Sequence, residues 1–166
     1  MSAVLYVIDT SYLVELFGCG RISNKVVSDA VRVRFKEANN AGGRFFVPLP
    51  CLFELGDHIA DVRHDGLRKT LADQLVATVN SCLTTNKPWT ITPTGLPEEV
   101  LPKLFERFAP AAAKQKIGLV DIFTWSESLR LKAALSKYKA RVHIWTNDRS
   151  LKEKEPDKEA NPYLWS

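Results

Sequence analysis

The sequence has few of the residues that build disulfide frameworks or soft-metal sites. Among its 166 residues it contains three cysteines, Cys19, Cys51 and Cys82, which lie far apart and form no CxxC pair. Its three histidines also lack the spacing of a metal-binding motif. These absences argue against a disulfide-stapled scaffold and against a zinc site, and they favour a reducing compartment.

Long hydrophobic runs are also missing. No stretch approaches the roughly 20 apolar residues that a membrane-spanning helix requires. The apolar start of the chain has no preceding basic segment and is interrupted by Asp9 and Glu15, which is not the pattern of a signal peptide. There is no repeat and no low-complexity tract. We therefore expect a cytoplasmic protein with a single domain over residues 1–166, carrying a charged, solvated tail from about residue 152.

The composition is ordinary for a globular protein, at 45% hydrophobic and 25% charged residues. The net charge of +4 makes a polyanionic partner plausible, although a charge of this size is a weak signal.

The most informative stretch is the first apolar run, residues 3–8, which has the length of one buried strand. It stops at Asp9, and apolar residues with helical spacing then begin at Tyr12. Open α/β sheets bind ligands outside the carboxyl ends of their strands. A carboxylate between a buried strand and a helix therefore indicates a site at this edge.

Three other acids occupy similar places. They are Glu54 at the start of a helix after strand 45–47, Asp121 at the start of another helix, and Asp148 just after strand 142–145. Any one such acid is often only a turn residue or a helix cap. Four of them at one sheet edge repel one another unless a counterion is present. Carboxylate oxygens suit Mg²⁺ or Mn²⁺, so the pattern predicts a site for one of these ions.

Helical and strand-like stretches alternate along the chain. This alternation predicts an α/β fold with a central parallel sheet flanked by helices in three layers. The helix that begins at Pro97 is expected to stop at Ala109-Pro110, with a loop over residues 111–118.

The ordered set of Asp9-Thr10-Ser11, Val47-Pro48 with a helical Glu54, Leu119-Val120-Asp121 and Thr146-Asn147-Asp148 resembles the PIN domain. The resemblance covers about residues 4–151 and is closest to the toxin ribonucleases of bacterial toxin–antitoxin pairs. It implies a PIN-like three-layer fold, endonucleolytic cleavage of RNA, and an Mg²⁺ or Mn²⁺ ion held by Asp9, Glu54, Asp121 and Asp148. It also implies supporting roles for Thr146 and Ser11, a homodimer, and an antitoxin as a protein partner.

The chain departs from that pattern at Trp125, where a small residue is usual. It also has extra length around residues 71–89 and no evident last strand after Asp148. Asp57 and His58 lie one turn beyond Glu54, where Asp57 could join the acids and His58 is expected to be a surface or packed residue.

Five basic residues are candidates for contact with RNA phosphates: Arg63, Arg68, Lys69, Lys114 and Lys116. The alternative is that they lie on solvated helix ends and loops and contact no RNA. Two rival functions remain open. One is a PIN-like module that binds RNA or protein without cutting. The other is a receiver-like phosphotransfer protein, although neither Val47 nor Thr92 leads into the phospho-acceptor Asp that it needs.

Overall fold

A computed structural model describes residues 3–19, 24–92, 97–115, 117–160 and 162. Strands and helices alternate along these residues. In chain order they are β1 (Val4–Ile8), α1 (Thr10–Phe17), α2 (Lys25–Asn40), β2 (Arg44–Pro48), α3 (Leu49–Ala60), α4 (Asp65–Thr85), β3 (Thr90–Thr92), α5 (Pro97–Gln115), α6 (Leu119–Ala134), β4 (Arg141–Trp145) and α7 (Arg149–Lys152). A short 3₁₀ helix, Ser136–Tyr138, joins α6 to β4.

The four strands form one parallel sheet in the order β3-β2-β1-β4. The last residues of β1 and β4, Ile8 and Trp145, are register partners. The residues that follow these two strands therefore lie side by side at the same edge of the sheet. The expected α/β fold with a central parallel sheet is confirmed.

The side chains of the sheet pack against helices on both faces. Ile8, Val47 and Trp145 belong to a core cluster that includes residues of α1 to α4. Leu5 and Val142 face the other way and pack against Leu131 of α6. This alternation between neighbouring residues follows the pleat of a strand, and it gives the three layers that the sequence pattern predicts.

Helix α5 is longer than expected. It continues through Pro102 and Pro110 to Gln115, so the prediction that Pro110 ends the helix is wrong. A proline removes its own N–H group from the hydrogen-bond ladder, yet the chain can kink and continue. The alanines at positions 111–113 have the highest helix propensity of any residue, which favours continuation.

The segment that begins at Lys152 is not the solvated tail that its charge run suggests. Lys152 is 2% exposed and Glu155 is 5% exposed. The Lys152 ammonium donates to the Ile144 carbonyl at 2.8 Å and to the carboxylates of Glu155 and Glu159 at 2.7 and 2.8 Å. These charged groups can be buried because each is paired with an opposite charge. The pairs form only in the folded chain, so the charge run alone does not reveal them.

Residues 153–160, which we call the C-terminal cover, run along the outer edge of β4. The Asp157 and Glu155 carboxylates accept hydrogen bonds from the backbone N–H groups of Val142 and Ile144, at 2.8 and 3.1 Å. The N–H of Asp157 donates to the Val142 carbonyl at 3.2 Å. The cover thus satisfies the edge strand mainly with side chains, and residues 149–160 and 162 include no strand.

None of the helices in the described ranges is both long enough and apolar enough to cross a bilayer.

Candidate functional site

A cavity of about 490 Å³ opens at the carboxyl edge of the sheet. Its lining consists of Asp9, Thr10, Ser11, Val14, Glu15, Glu54, Asp57, His58, Asp121, Asn147 and Asp148. All four acids singled out in the sequence are therefore brought to one cavity. Strands β1 and β4 deliver Asp9 and Asp148 at their ends. The second turn of α3 delivers Glu54, and the first turn of α6 delivers Asp121.

Asp9 is 5% exposed and has the most hydrogen-bond donors of the four acids. Its Oδ2 atom accepts from the hydroxyls of Ser11 and Thr146, at 2.8 and 2.9 Å. Those hydroxyls in turn accept backbone N–H groups from Asn147 and Asp148, at 2.9 and 3.0 Å. Ser11 and Thr146 therefore tie the loop after β4 to the carboxylate after β1.

Asp148 is the N-cap residue of α7. Its Oδ1 atom accepts from the N–H groups of Ser150 and Leu151, at 2.7 and 3.2 Å. This cap is the structural role that a lone Asp after a strand usually has. Here the same cap fixes the orientation of a carboxylate that also lines the cavity.

Glu54 is held by Thr10, whose hydroxyl donates to Glu54 Oε2 at 2.6 Å. Thr10 is 5% exposed, and its bond joins the start of α1 to α3. Sequence reasoning missed this residue because the two partners lie 44 positions apart. The available signal was only its place directly after Asp9, which gave no indication of the partner.

Asp121 shows the electrostatic effect of the clustered acids. Burial and the nearby charge of Asp9 raise the pKa of Asp121 from 3.8 to about 6, and Asp148 and Glu54 add to the shift. The N–H of Gly118 opposes this shift by donating to Asp121 Oδ2 at 3.0 Å. A Cβ at position 118 would lie 3.1 Å from that oxygen, so glycine permits the close approach.

Cys51 lies beneath these acids and is fully buried. Burial, followed by the charge of Asp9, raises the pKa of the Cys51 thiol to about 12, although a hydrogen bond with Thr124 partly offsets the shift. The thiol is therefore protonated at neutral pH, and this cysteine cannot serve as a thiolate nucleophile.

The cavity residues suit a hard divalent cation. The charges of Asp9, Asp148 and Glu54 help to raise the pKa of Asp121, and a cation that neutralises this cluster would relieve the repulsion. The buried Oδ1 atom of Asn147, which also lines the cavity, has no hydrogen-bond partner among the described residues. It is a further oxygen of the kind that Mg²⁺ and Mn²⁺ bind.

The acids are nevertheless not gathered as tightly as a bound ion would hold them. In the described ranges, the ligating side chains whose ligand atoms all lie within 4.8 Å are instead His143, Glu155 and Glu159. Lys152 already bonds both of those carboxylates, so this second group is a buried ion-pair site. The acids of the cavity would have to turn inward to bind one ion together.

The other acids at the cavity differ in their roles. Glu15 is 6% exposed and accepts hydrogen bonds from Ser28 at 2.6 Å and from the N–H of Asn24 at 3.2 Å, so it joins α1 to the start of α2. Asp57 is exposed and His58 is half-buried at the rim, one turn beyond Glu54 on α3.

Among the basic residues expected to contact RNA, Arg63, Arg68 and Lys69 do not line the cavity. Arg68 pairs with Asp65 at 2.6 Å, Lys69 pairs with Asp73 at 2.6 Å, and Arg63 is exposed. Helix α3 begins at the carboxyl edge and its 12 residues carry the chain away from it, so these three residues lie beyond the far end of that helix. Lys116 and the side chain of Lys114 lie outside the described residues.

Trp125 does not narrow the cavity, which it does not line. It is half-buried on α6 and packs beside the cluster formed by Leu104, Ile117, Ile122 and Phe123. The side chains of Arg107 and Lys154 lie over its ring, at 5.8 and 4.7 Å from the ring centroid.

No protein-family model matches the chain. No curated protein is significantly similar to it in sequence. An assignment of function must therefore start from the cavity and the residues around it.

Proposed function

We propose that this protein is an Mg²⁺- or Mn²⁺-dependent endoribonuclease of the toxin-type PIN class, which hydrolyses phosphodiester bonds in RNA. The observation that carries the proposal is the convergence of Asp9, Glu54, Asp121 and Asp148 on one cavity. The pKa of about 6 for Asp121 supports it: burial contributes most to the rise and the charge of Asp9 comes next, and a cation would relieve that repulsion.

The residues of the cavity would have different roles in this reaction. Asp9, Asp121 and Asp148 would hold the ion, while Glu54, oriented by Thr10, would ligate it or orient the attacking water. When bound, a divalent cation supplies activation of water and neutralisation of the phosphate charge. Ser11 and Thr146 keep the Asp9 carboxylate in place, and Thr146 also fixes the loop that carries Asp148.

The products distinguish this chemistry from a metal-free ribonuclease. Because water attacks the phosphorus, the 2′-hydroxyl is not consumed, and cleavage should leave a 5′-phosphate and a 3′-hydroxyl. The experiment incubates a single-stranded RNA of mixed sequence with the protein and Mg²⁺ or Mn²⁺ and maps the ends. Cyclic-phosphate ends, or cleavage that survives both EDTA and Asp121→Ala, would contradict the mechanism.

Ion binding is testable without a substrate. A cation that binds only the folded state raises the melting temperature by linkage. We expect Mn²⁺ or Mg²⁺ at millimolar concentration to raise the melting temperature of the apo protein, and Asp9→Asn to abolish this response. Asp73→Asn, on the exposed face of α4, is the matched control and should respond like the parent protein.

One observation favours a second candidate, a PIN-like module that binds RNA or protein without cutting. The carboxylates of the cavity are not within the 4.8 Å that groups His143, Glu155 and Glu159. If that spacing persists in solution, neither cation will stabilise the protein. RNA binding without cation stabilisation and without cleavage would establish this alternative.

We also propose that the protein acts in the cytoplasm and has an antitoxin as its partner. The three cysteines are free and buried, which is compatible with a reducing compartment. An antitoxin gene adjacent to the gene for this protein, encoding a small DNA-binding protein with an amphipathic tail, would support the partner. Isolation of the protein with an unrelated inhibitor would argue against it.

A further inference from the structure

Arg107, Trp125 and Lys154 form a group that the proposed catalytic site does not use; we call it the Trp125 cluster. Arg107 lies on α5, Trp125 on α6, and Lys154 in the C-terminal cover. The Arg107 guanidinium lies 5.8 Å from the Trp125 ring centroid, and the Lys154 ammonium lies 4.7 Å from it. Arg107 also donates to the Ser126 hydroxyl at 3.3 Å.

The chain places this cluster beside the acid cavity. Trp125 follows Asp121 by four residues on α6, so the two side chains share one face of the helix, one turn apart. Lys154 comes shortly after α7, the four-residue helix that Asp148 caps. Helix α6 therefore supplies both Asp121 and Trp125, and Lys154 lies two residues beyond the end of the helix that Asp148 caps.

The two cations of the cluster are not neutralised. In the described part of the chain, neither Arg107 nor Lys154 has a carboxylate oxygen within 4.0 Å, and an aromatic ring attracts a cation without cancelling its charge. Other cations on the same elements are paired: Arg130 with Glu127 at 2.6 Å, and Lys132 with Asp157 at 2.7 Å.

A cavity with four carboxylates repels a polyanion, so an RNA strand needs positive charge close by. We propose that the Trp125 cluster binds the phosphates of the RNA strand where it leaves the acid cavity. Arg107 and Lys154 contact the phosphates, and Trp125 positions both cations. This inference rests on the proposed nuclease function and deepens it by naming where the substrate strand runs.

The test measures binding separately from cleavage. Asp121→Asn provides a background in which cutting is stopped, and the double change Arg107→Gln/Lys154→Gln is added to it. The probe is a fluorescein-labelled single-stranded RNA of mixed sequence, about 16 nucleotides long, which is near the upper size of a single-strand binding site. Fluorescence anisotropy at several salt concentrations gives the Kd and its salt dependence.

The matched control is Lys137→Gln. Lys137 lies over the Tyr138 ring at 4.9 Å, so it is a cation held in the same way. It lies in the 3₁₀ helix before β4 begins, at the opposite edge of the sheet from the cavity. Melting curves on every variant establish that the fold is retained.

We expect the double change to raise the Kd about tenfold at moderate salt and to reduce the salt slope by about 1.4, since each phosphate contact on a single strand contributes about 0.7. Lys137→Gln should leave both quantities unchanged. With Asp121 intact, the double change should raise KM for RNA cleavage and leave kcat close to that of the parent.

If the double variant binds RNA with the Kd and salt slope of the control while the parent cleaves RNA, the cluster proposal is overturned and the nuclease proposal stands. If the parent neither cleaves nor binds RNA, both proposals fall. A loss of affinity with no change in the salt slope would also overturn the cluster proposal. Losing two phosphate contacts must lower the salt slope, whereas a structural disturbance can lower the affinity without lowering the slope.

Discussion

The carboxyl group of Asp121, which lies in the first turn of α6, is close to three other acids. Its pKa of about 6 means that the group is ionised at pH 7, but at a cost to the apo protein, because the unfolded chain ionises it near 3.8. The folded state holds more protons than the unfolded state between these two values. The contribution of Asp121 to stability therefore becomes more unfavourable as the pH rises from about 4 to 6.

Asp121→Asn should raise the melting temperature of the apo protein at pH 7. The amide oxygen can still accept the Gly118 N–H, while the repulsion from Asp9, Asp148 and Glu54 is lost. We expect a gain of about 1–2 kcal/mol in the free energy of unfolding, discounting the pKa shift for partial exposure of the group. The increment should disappear near pH 4. A variant less stable than the parent in EDTA at pH 7 would contradict this reading.

Thr10 offers a second test, because its hydroxyl holds Glu54 at 2.6 Å. Thr10→Val keeps the side-chain volume and removes the donor, so Glu54 loses its orientation. Losing an outer hydrogen bond to a metal ligand typically costs at least about tenfold in metal affinity. Thr10→Ser keeps the hydroxyl and should restore most of that affinity, measured by Mn²⁺ titration of the melting temperature. Equal affinities for the Val and Ser variants would show that the bond does not matter.

At this scale the sequence was informative about position and uninformative about partners. Asp9 and Asp148 were predictable because each follows a buried strand, and parallel strands end at one edge. Ser11 and Thr146, which donate to Asp9, were named as supporting residues by the resemblance. The partner of Glu54 was not predictable, since Thr10 and Glu54 meet only when α1 packs on α3. The distance of Arg68 and Lys69 from the cavity was not predictable, because composition does not reveal that α3 carries the chain away from the carboxyl edge before it reaches them.

Helix α7 has four residues, far fewer than an isolated helix needs. Its stability must come from tertiary contacts, namely the buried side chains of Leu151 and Lys152. Lys152 binds the end of β4 and two acids of the C-terminal cover, and Glu159 of that cover also pairs with Arg34 of α2 at 2.5 Å. The position of Asp148 at the cavity therefore depends on a buried ion-pair network.

Lys152→Met should destabilise the protein by about 3–5 kcal/mol at pH 7, because it leaves Glu155 and Glu159 without their ammonium partner. Lys158→Met is the control on the same segment. Lys158 is exposed, and among the described residues its ammonium donates only to the Glu153 carbonyl, at 2.8 Å. Chemical denaturation of the two variants and the parent gives the comparison. Equal stabilities of the two variants would contradict a stabilising role for the buried network.

The same network should make stability depend on pH. Burial opposes ionisation of Glu155, Asp157 and Glu159, but bonds and charges from His143, Lys132, Lys152 and Arg34 outweigh it and lower the pKa of all three carboxyls. Their contribution is present above the unfolded values near pH 4 and is lost as the pH falls through the folded values. Melting curves from pH 7 to pH 3 should show a steep loss below about pH 4 in the parent and a shallower one in Lys152→Met.

The two wrong predictions about elements have a common origin. Pro110 and the charge run after residue 152 are both strong local signals, for a helix end and for solvent exposure respectively. The rest of the structure can override such local signals. Here α5 continues over residues 111–115 despite Pro110, and the charges around Lys152 are buried because they are paired. Strands β1, β2 and β4 were predicted correctly because each is an apolar run that is largely buried within the parallel sheet.

At the scale of the whole molecule, the exposed apolar side chains of the described residues include one pair on α4 and one pair on α2. Val76 and Leu83 of α4 are 62% and 71% exposed, and Val26 and Val33 of α2 are 78% and 56% exposed. Each pair is seven residues apart and so lies on one helix face. We propose that one of these faces forms a homodimer with two-fold symmetry.

Light scattering at tens of micromolar protein should give the mass of a dimer. One of two variants, Val76→Glu/Leu83→Glu or Val26→Glu/Val33→Glu, should give a monomer, since charge is not tolerated in an apolar interface. The other variant serves as the matched control and should remain dimeric. A monomer mass for the parent protein would refute the proposal.

The C-terminal cover also has a consequence for how the protein behaves when it is damaged or acidified. An uncovered edge strand is a template on which another molecule can add a strand, and such addition seeds aggregates. The far edge of the sheet is guarded by the shortness of β3, which has three residues. The β4 edge is five residues long and is guarded mainly by carboxylates. We therefore expect cleavage within the cover, or protonation of Asp157 and Glu155, to expose the β4 edge and to favour aggregation.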